Sequence, residues 1–391
     1  MLVNTDQWGL YHVGDQAFAS KLEAIQYQRQ CGAPLYWRYQ EDQFAQHNWT
    51  QEPQETLWDL YTERAHQLRN QYHHIILLYS GGADSENVLQ AFERNGIMVD
   101  EIRIAYAGDH TDPNSLRTFM NLELHHVAIP RARALQKQWP NLQVTVVGMD
   151  DMIQQSLENY TDDRLHFGNN MSWSLWQRQR FGMTKQRSHA WLPKSSQDQS
   201  VAILWGKDKT FVNKVNGRYA VQFVDRHLNG NLESLPDNCQ HEYFYWGKDC
   251  ARMLIKQGHV LKNFYRQADQ IPTWFKDNQK YLLPKWDHKW HYNTVEIAGQ
   301  RAMVNNGCYN TLIYPYYNCT TFDVGKIEWQ VASQSMMVLL QKNASMAEQF
   351  KKYIEACHNL CGPDWLDQAA WLGGSAHGPK AVSGKPWFLE T

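Results

Sequence analysis

Three observations predict an α/β fold built on a parallel, doubly wound sheet, with an N-terminal appendage and a mainly helical or irregular C-terminal region. The first is a continuous apolar run, His74 to Tyr79, that breaks at Gly81-Gly82. A strand covered on both faces reads this way. The second is the alternation of such runs with amphipathic stretches, a β-α-β-α-β series whose crossovers wind a parallel sheet to the right. The third is length, since 391 residues can bury a substantial core and divide it between two or three subdomains. The expected boundaries are 1–54 for the appendage, 55–225 for the α/β domain, and 226–391 for a closing region.

Each element has its own reason. Residues 17–30 predict a helix with Leu22, Ile25 and Tyr27 near one stripe, followed by a strand over 33–39. A helix over 55–71 follows, because Leu57, Leu60, Tyr61, Ala65 and Leu68 recur at helical spacing. After the glycine turn, a helix opening at Asp84 carries Val88, Leu89 and Phe92 and ends near Asn95-Gly96. Residues 99–107 alternate through Ile102, Ile104 and Tyr106 and read as the second strand. Pro130 is best tolerated at a helix start, which predicts a helix over 130–139. Residues 142–147 give the third strand and 152–160 a short helix. Val201 to Trp205 is another apolar strand, ending at Gly206, and Asn216-Gly217 between 210–215 and 218–224 predicts a hairpin with a type I′ turn.

The closing region reads less regularly. Asp249 is placed to cap a helix carrying Leu254, Leu261 and Tyr265, and residues 333–360 read as further helix. Between them, residues 270–330 hold Trp274, Trp286, Trp290 and Tyr314-Pro-Tyr-Tyr317, expected to close over the sheet.

Charge and cysteines narrow the class. The net charge of −2 gives no support for a broad nucleic-acid-binding face, although a local patch is diluted in such an average. Neither a basic leader nor an apolar stretch of membrane-spanning length is present, so a soluble, cytoplasmic protein is expected. The seven cysteines are scattered, which suits reduced thiols. Cys357 and Cys361 are spaced to share a helix face, and Cys308 and Cys319 could complete a four-thiolate set. Neither spacing matches a Cys-x-x-Cys signature, and buried structural thiols fit better.

The chemistry concentrates at the glycine turn. Gly81 and Gly82 admit positive φ, so successive backbone N–H groups can converge into an anion-binding concavity. The helix behind them aims its positive end at the same point. Such a turn suits phosphate; the plain alternative is a glycine turn whose helix is N-capped by Asp84. Other phosphate motifs fail. Gly378 to Pro386 comes near a Walker A sequence, but it has one residue too many between glycines and Pro386 stands where a Ser or Thr is needed. It reads as a C-terminal loop.

Ser80-Gly81-Gly82-Ala83-Asp84-Ser85 after an apolar strand resembles the PP-loop of the ATP pyrophosphatase superfamily. That group includes asparagine synthetase, GMP synthetase and tRNA-thiolation enzymes, and more distantly the phosphoadenylyl-sulfate (PAPS) reductases. The likeness covers roughly residues 55–225. It is nearest in layout to phage-encoded proteins of PAPS-reductase-like or asparagine-synthase-like type, and it implies a HUP-like, Rossmann-like sheet. It further implies ATP and Mg²⁺ as cofactors, with Tyr79, Ser80, Gly81, Gly82, Ala83, Asp84 and Ser85 around the phosphates. Asp84 would orient the loop or help hold Mg²⁺. A glycine and an acidic residue after a later strand often complete such sites. By that resemblance Gly206 is a phosphate-side glycine, Asp208 a candidate Mg²⁺ ligand, and Lys209 (or Lys207) a phosphate contact. Tyr106 and Ala107, at the second strand's end, make a plausible adenine-facing edge. Residues 161–200, with Arg164, His166, Asn169, Asn170, Arg178 and Arg180, sit where the superfamily places substrate specificity, although a solvated connector explains most of them individually.

The implied reaction is adenylation: an acceptor oxygen attacks the α-phosphorus, pyrophosphate leaves, and ammonia, an amine or sulfide then displaces AMP. Ser80, Asp84 and Lys209 are the candidate catalytic residues. Glutamine-dependent asparagine synthetases carry a catalytic Cys after Met1, and this chain has Leu2; an external donor is therefore expected. Two alternatives stay open: a sulfonucleotide reductase or sulfurtransferase using Cys357 or Cys361, and a non-catalytic nucleotide-binding protein. Whether the acceptor is a small molecule or a nucleic acid is also open.

Overall fold

The computed structural model describes residues 9–18, 21–106, 124–148, 199–206, 210, 212–225, 238–269, 294–297, 300–303, 313–316 and 382–391, with single positions 344, 348, 355, 359 and 362. It begins with a hairpin, β1 (Leu10–Val13) and β2 (Gln16–Phe18), turning at Gly14-Asp15. Sequence periodicity misses this hairpin, because Ala17 and Phe18 fall in the expected helix but lie on the strand. Helix α1 (Lys21–Cys31) starts three residues later, and β3 (Leu35–Arg38) pairs antiparallel with β1. A short α2 (Glu41–Phe44) leads to α3 (Leu57–Gln71). Thr56 opens α3 with a full capping box, accepting from the Asp59 amide while Asp59 accepts from the Thr56 amide.

The central sheet comes next: β4 (His74–Leu78), α4 (Ala83–Glu93), β5 (Glu101–Tyr106), α5 (Ile129–Gln138), β6 (Gln143–Gly148) and β7 (Val201–Trp205). The expected 130–139 helix is α5, extended backwards by one π-helical turn over Leu124–Ala128. Hairpin β8 (Val212–Val215) and β9 (Arg218–Val224) turns at Asn216 and Gly217, both at positive φ as a type I′ turn requires. Strand β10 (Cys239–Tyr243) follows, then helix α6 (Ala251–Asp269). Asp249 does not cap α6; it lies inside a 3₁₀ turn, Lys248–Cys250, that Gly247 opens. The described residues end with β11 (Thr294–Ile297), β12 (Gln300–Met303) and β13 (Ser383–Phe388). Lys385 and Pro386 therefore lie on a strand paired with β9, which corrects the expected C-terminal loop. The predicted helix 152–160, Cys308, Cys319, Cys357 and Cys361, and most of 333–360 lie outside the described residues.

Five strands form an all-parallel sheet in the order β10-β7-β4-β5-β6, a Rossmann-like α/β arrangement. Every residue of β7 is buried, and so are Ile75 to Leu78 of β4, which is why both read as unbroken apolar runs. Strand β5 alternates in sequence yet is buried on both faces. Its polar positions pair internally: Arg103 holds Glu101 by two parallel bonds of 2.7 and 2.9 Å, both side chains buried.

The appendage and the C-terminal strand share the core of the sheet domain. Trp49 stacks on Trp387 with ring centroids 5.2 Å apart, and Phe44 packs on Phe223 at 5.2 Å. A fully buried ion pair, Lys21 to Asp225 at 2.6 Å, joins α1 to the end of β9. Tyr11 donates to the same carboxylate at 2.8 Å and the Val382 amide at 2.9 Å, so the charge is both paired and hydrogen-bonded, as burial demands. Among the described residues, no helix is long and apolar enough to cross a membrane.

Candidate functional site

The chain leaves β4 toward β5 on one side and returns to β7 on the other, so the strand order reverses between β4 and β7. In open α/β sheets that reversal leaves a crevice at the carboxyl ends of the strands. Leu78 and Trp205 are register partners there, so Tyr79 to Ser85 and Gly206 flank one gap. Strand β5 runs further: Arg103 is level with Leu78, and Tyr106 lies three residues beyond. Its main chain meets the start of the loop where the Arg103 carbonyl accepts from the Tyr79 amide at 2.9 Å.

Local chemistry shapes the loop. Gly81 has φ +82, and a Cβ there would meet the Ala128 backbone nitrogen at 3.0 Å. Only glycine meets both demands. The two serines turn inward. Ser80 Oγ and Ser85 Oγ are 3.2 Å apart, the Ser80 amide donates to Ser85 Oγ at 3.3 Å, and Ser85 Oγ donates to the Gly82 carbonyl at 3.1 Å. Ser85 is buried, so it shapes the loop from beneath. Tyr79, also buried, donates to Glu86 Oε2 at 2.5 Å, and Arg131 of α5 bridges Glu86 and Glu93. Burial works against the Arg131 charge, but the Glu93 hydrogen bond and the two carboxylates outweigh it and raise its pKa.

Helix α4 starts at Ala83, one residue before the expected position, with Gly82 as N-cap and no side-chain cap. The contrast with the capping box of α3 is direct. Where α3 is capped by its own side chains, the N-cap of α4 is a glycine that makes no side-chain cap, and the positive end of the helix faces the loop. Asp84 lies in this first turn and does not cap it.

Gly206 is needed for close approach. A Cβ there would lie 2.8 Å from Ser85 Cα, 3.0 Å from Val88 Cγ2 and 3.2 Å from the Asp84 carbonyl. The end of β7 therefore touches the first turn of α4 backbone to backbone, and the sequence-predicted Gly206 joins the same site as Ser80 to Ser85.

Three tyrosines that sequence reasoning did not single out as site residues surround Asp84. Tyr314 donates to Asp84 Oδ1 at 2.5 Å, and Tyr245 donates to the Asp84 carbonyl at 2.9 Å. Tyr61 donates to the Ile313 carbonyl at 2.6 Å and accepts from Gln257 at 3.0 Å. Burial, then the Asp84 charge, holds the Tyr314 phenol well above its usual pKa, so it remains a neutral donor. The Tyr314-Pro-Tyr-Tyr317 cluster was the signal available in the sequence. Two buried oxygens, Asn87 Oδ1 and Thr210 Oγ1, have no hydrogen-bond partner among the described residues. On β10, His241 accepts from Trp205 Nε1 at 2.9 Å, and burial pushes its pKa down to about 4. On the same strand, burial pushes the Cys239 thiol up to about 12 although Arg103 opposes it, which leaves the thiol protonated and inert.

The cradle fits phosphate: an uncapped helix start, a positive-φ glycine and a backbone contact that excludes any Cβ. For Mg²⁺, Asp84 is the described candidate, with Tyr314 already on one oxygen. No group of three or more His, Cys, Asp or Glu able to hold a metal occurs among the described residues. Asp208, Lys207, Lys209, Ala107, the Tyr106 side chain, and the arginines and asparagines of 161–200 lie outside the described residues. No protein-family model matches the chain, and no curated protein matches it.

Proposed function

We propose that this chain is an ATP-dependent adenylating enzyme of the PP-loop ATP pyrophosphatase type, with a HUP-like nucleotide domain. It would convert ATP to AMP and pyrophosphate while activating an oxygen of a small-molecule or nucleobase acceptor for attack by external ammonia, an amine or sulfide. The observation that carries this reading is the meeting of Ser80–Ser85 and Gly206 at the sheet's point of reversal, where α4 begins without a cap. The loop and the start of α4 are suited to take the β- and γ-phosphates, with Tyr106 and Ala107 as the proposed adenine-facing residues. Bound ATP and Mg²⁺ supply the electrophilic phosphorus and neutralise the departing charge. The chain's contribution is positioning: Ser80 and Ser85 hold the loop's shape, Asp84 orients it or helps hold Mg²⁺ with Asp208, and Lys209 contacts phosphate. Such an enzyme works in the cytoplasm, where ATP and amine or sulfur donors are at hand.

The test is release of AMP and pyrophosphate from α-labelled ATP with Mg²⁺ and pooled acceptors and donors, comparing wild type with Ser80→Ala and Asp84→Ala. Motif-dependent AMP plus pyrophosphate supports adenylation. ADP plus phosphate, or tight binding without turnover, removes it.

A further inference from the structure

The stretch Ile313–Tyr316 is pinned to both helices that flank the loop. Tyr61 of α3 holds the Ile313 carbonyl. Tyr316 stands edge-on to Trp58 of α3, ring centroids 4.6 Å apart, and the Arg94 guanidinium, just past α4, lies 3.7 Å over its ring. Between these anchors Tyr314, only 2% exposed, reaches Asp84 Oδ1. Tyr245 holds the carbonyl of the same residue and accepts from Asn87 Nδ2 at 2.9 Å. Asn87 ends this series with a buried oxygen that has no partner among the described residues. Two phenols on two distant segments thus grip one residue of the loop.

That grip answers an electrostatic problem. A carboxylate in the first turn of a helix gains from the helix's positive end. At the mouth of an anion cradle the same charge repels the occupant. A short bond from a neutral phenol to the carboxylate is charge-assisted and directional, so it can decide which way the charge points.

We propose that Tyr314 is a positioning residue of the nucleotide site: its hydroxyl fixes the Asp84 carboxylate against the 313–316 segment, so that polyphosphate meets the loop amides instead of a swinging carboxylate. This rests on the nucleotide reading above and adds to it a residue far outside the loop.

The experiment is calorimetric binding of inorganic tripolyphosphate in EDTA, and of ATP with and without Mg²⁺, to full-length wild type, Tyr314→Phe, Asp84→Asn and the double variant. Thermal unfolding of each is recorded alongside. Tyr314→Phe should weaken tripolyphosphate binding by about tenfold, the worth of one such hydrogen bond, and should do so without metal. In the Asp84→Asn background the same change should have no effect, because no charge remains to be steered. Equal losses in both backgrounds, no loss, or a loss confined to Mg²⁺ conditions would each overturn the proposal. If Tyr314→Phe fails to fold, Asp84→Asn alone decides. Tripolyphosphate binding equal to or tighter than wild type supports the proposal, and weaker binding refutes it. Wild type that binds neither tripolyphosphate nor ATP overturns the nucleotide reading and this inference together. Wild-type binding without coupling between the two positions overturns only the inference.

Discussion

Replacing Gly206 by alanine adds one methyl group between the end of β7 and the first turn of α4. That methyl would sit 2.8 Å from Ser85 Cα and 3.2 Å from the Asp84 carbonyl, and both are backbone atoms that cannot swing aside. Carbon atoms in packed interiors settle about 3.5–4.0 Å apart, so strand and helix must separate by roughly 0.7–1.2 Å. Overpacking of this kind costs about 1–3 kcal/mol. The functional loss should be larger, because misplacing a binding group by about 1 Å can cost on the order of 100-fold. Urea unfolding would report the first quantity and calorimetric titration with ATP the second. Gly96→Ala is the matched control: nothing lies within 4 Å of its Cβ, and only its φ of +66 is strained. It should lose about 1–2 kcal/mol and bind ATP as wild type does. If Gly206→Ala bound ATP with undiminished affinity, the contact between β7 and the loop would not be part of a ligand site.

Three further outcomes are expected. His241 is buried as the neutral ring, its pKa lowered from 6.5 to about 4. The stability it contributes is complete above pH 6.5 and lost as pH falls toward 4, about 3 kcal/mol in all; His241→Gln should flatten the acid limb of a stability–pH curve, and an unchanged limb would show the ring is not its source. Lys21→Met strands the buried Asp225 carboxylate and should cost about 3–5 kcal/mol in urea unfolding, whereas a loss under 1 kcal/mol would mean that water reaches the pair. Ser85→Ala removes the hydroxyl that holds Ser80 and the Gly82 carbonyl. It should cost about 1 kcal/mol and speed amide exchange at Gly81 and Gly82; unchanged exchange would mean that the glycines hold the loop unaided.

The legibility of the fold followed burial. Strands β4 and β7 are covered on both faces, so composition alone marks them, and the glycines that end them mark the site. Strand β5 misleads in one respect: its alternation suggests a solvent face, yet Glu101 and Arg103 pair with each other inside. The β1–β2 hairpin escapes notice because each strand is four residues or fewer, too short for a period to declare itself. Gly206 was found from its place after a strand, but the reason for it, a methyl-excluding contact with Ser85, exists only in three dimensions. Tyr314 stands 230 residues from Asp84, a separation no local pattern can bridge.

The buried tie between Lys21, Tyr11 and Asp225 has a consequence for biosynthesis. Asp225 takes the Val382 amide as a partner, 157 residues further along the chain, and β9 takes β13. At a synthesis rate of about 5–20 residues per second, roughly 8–30 s separate the making of that carboxylate from the making of its last donor. During this interval the nascent chain holds Lys21 and Asp225 without the strand that completes their enclosure. A ribosome stalled before residue 382 would thus present an unfinished core, with Trp49 and Phe44 still waiting for Trp387, and it is in this window that a chaperone would find its binding surface.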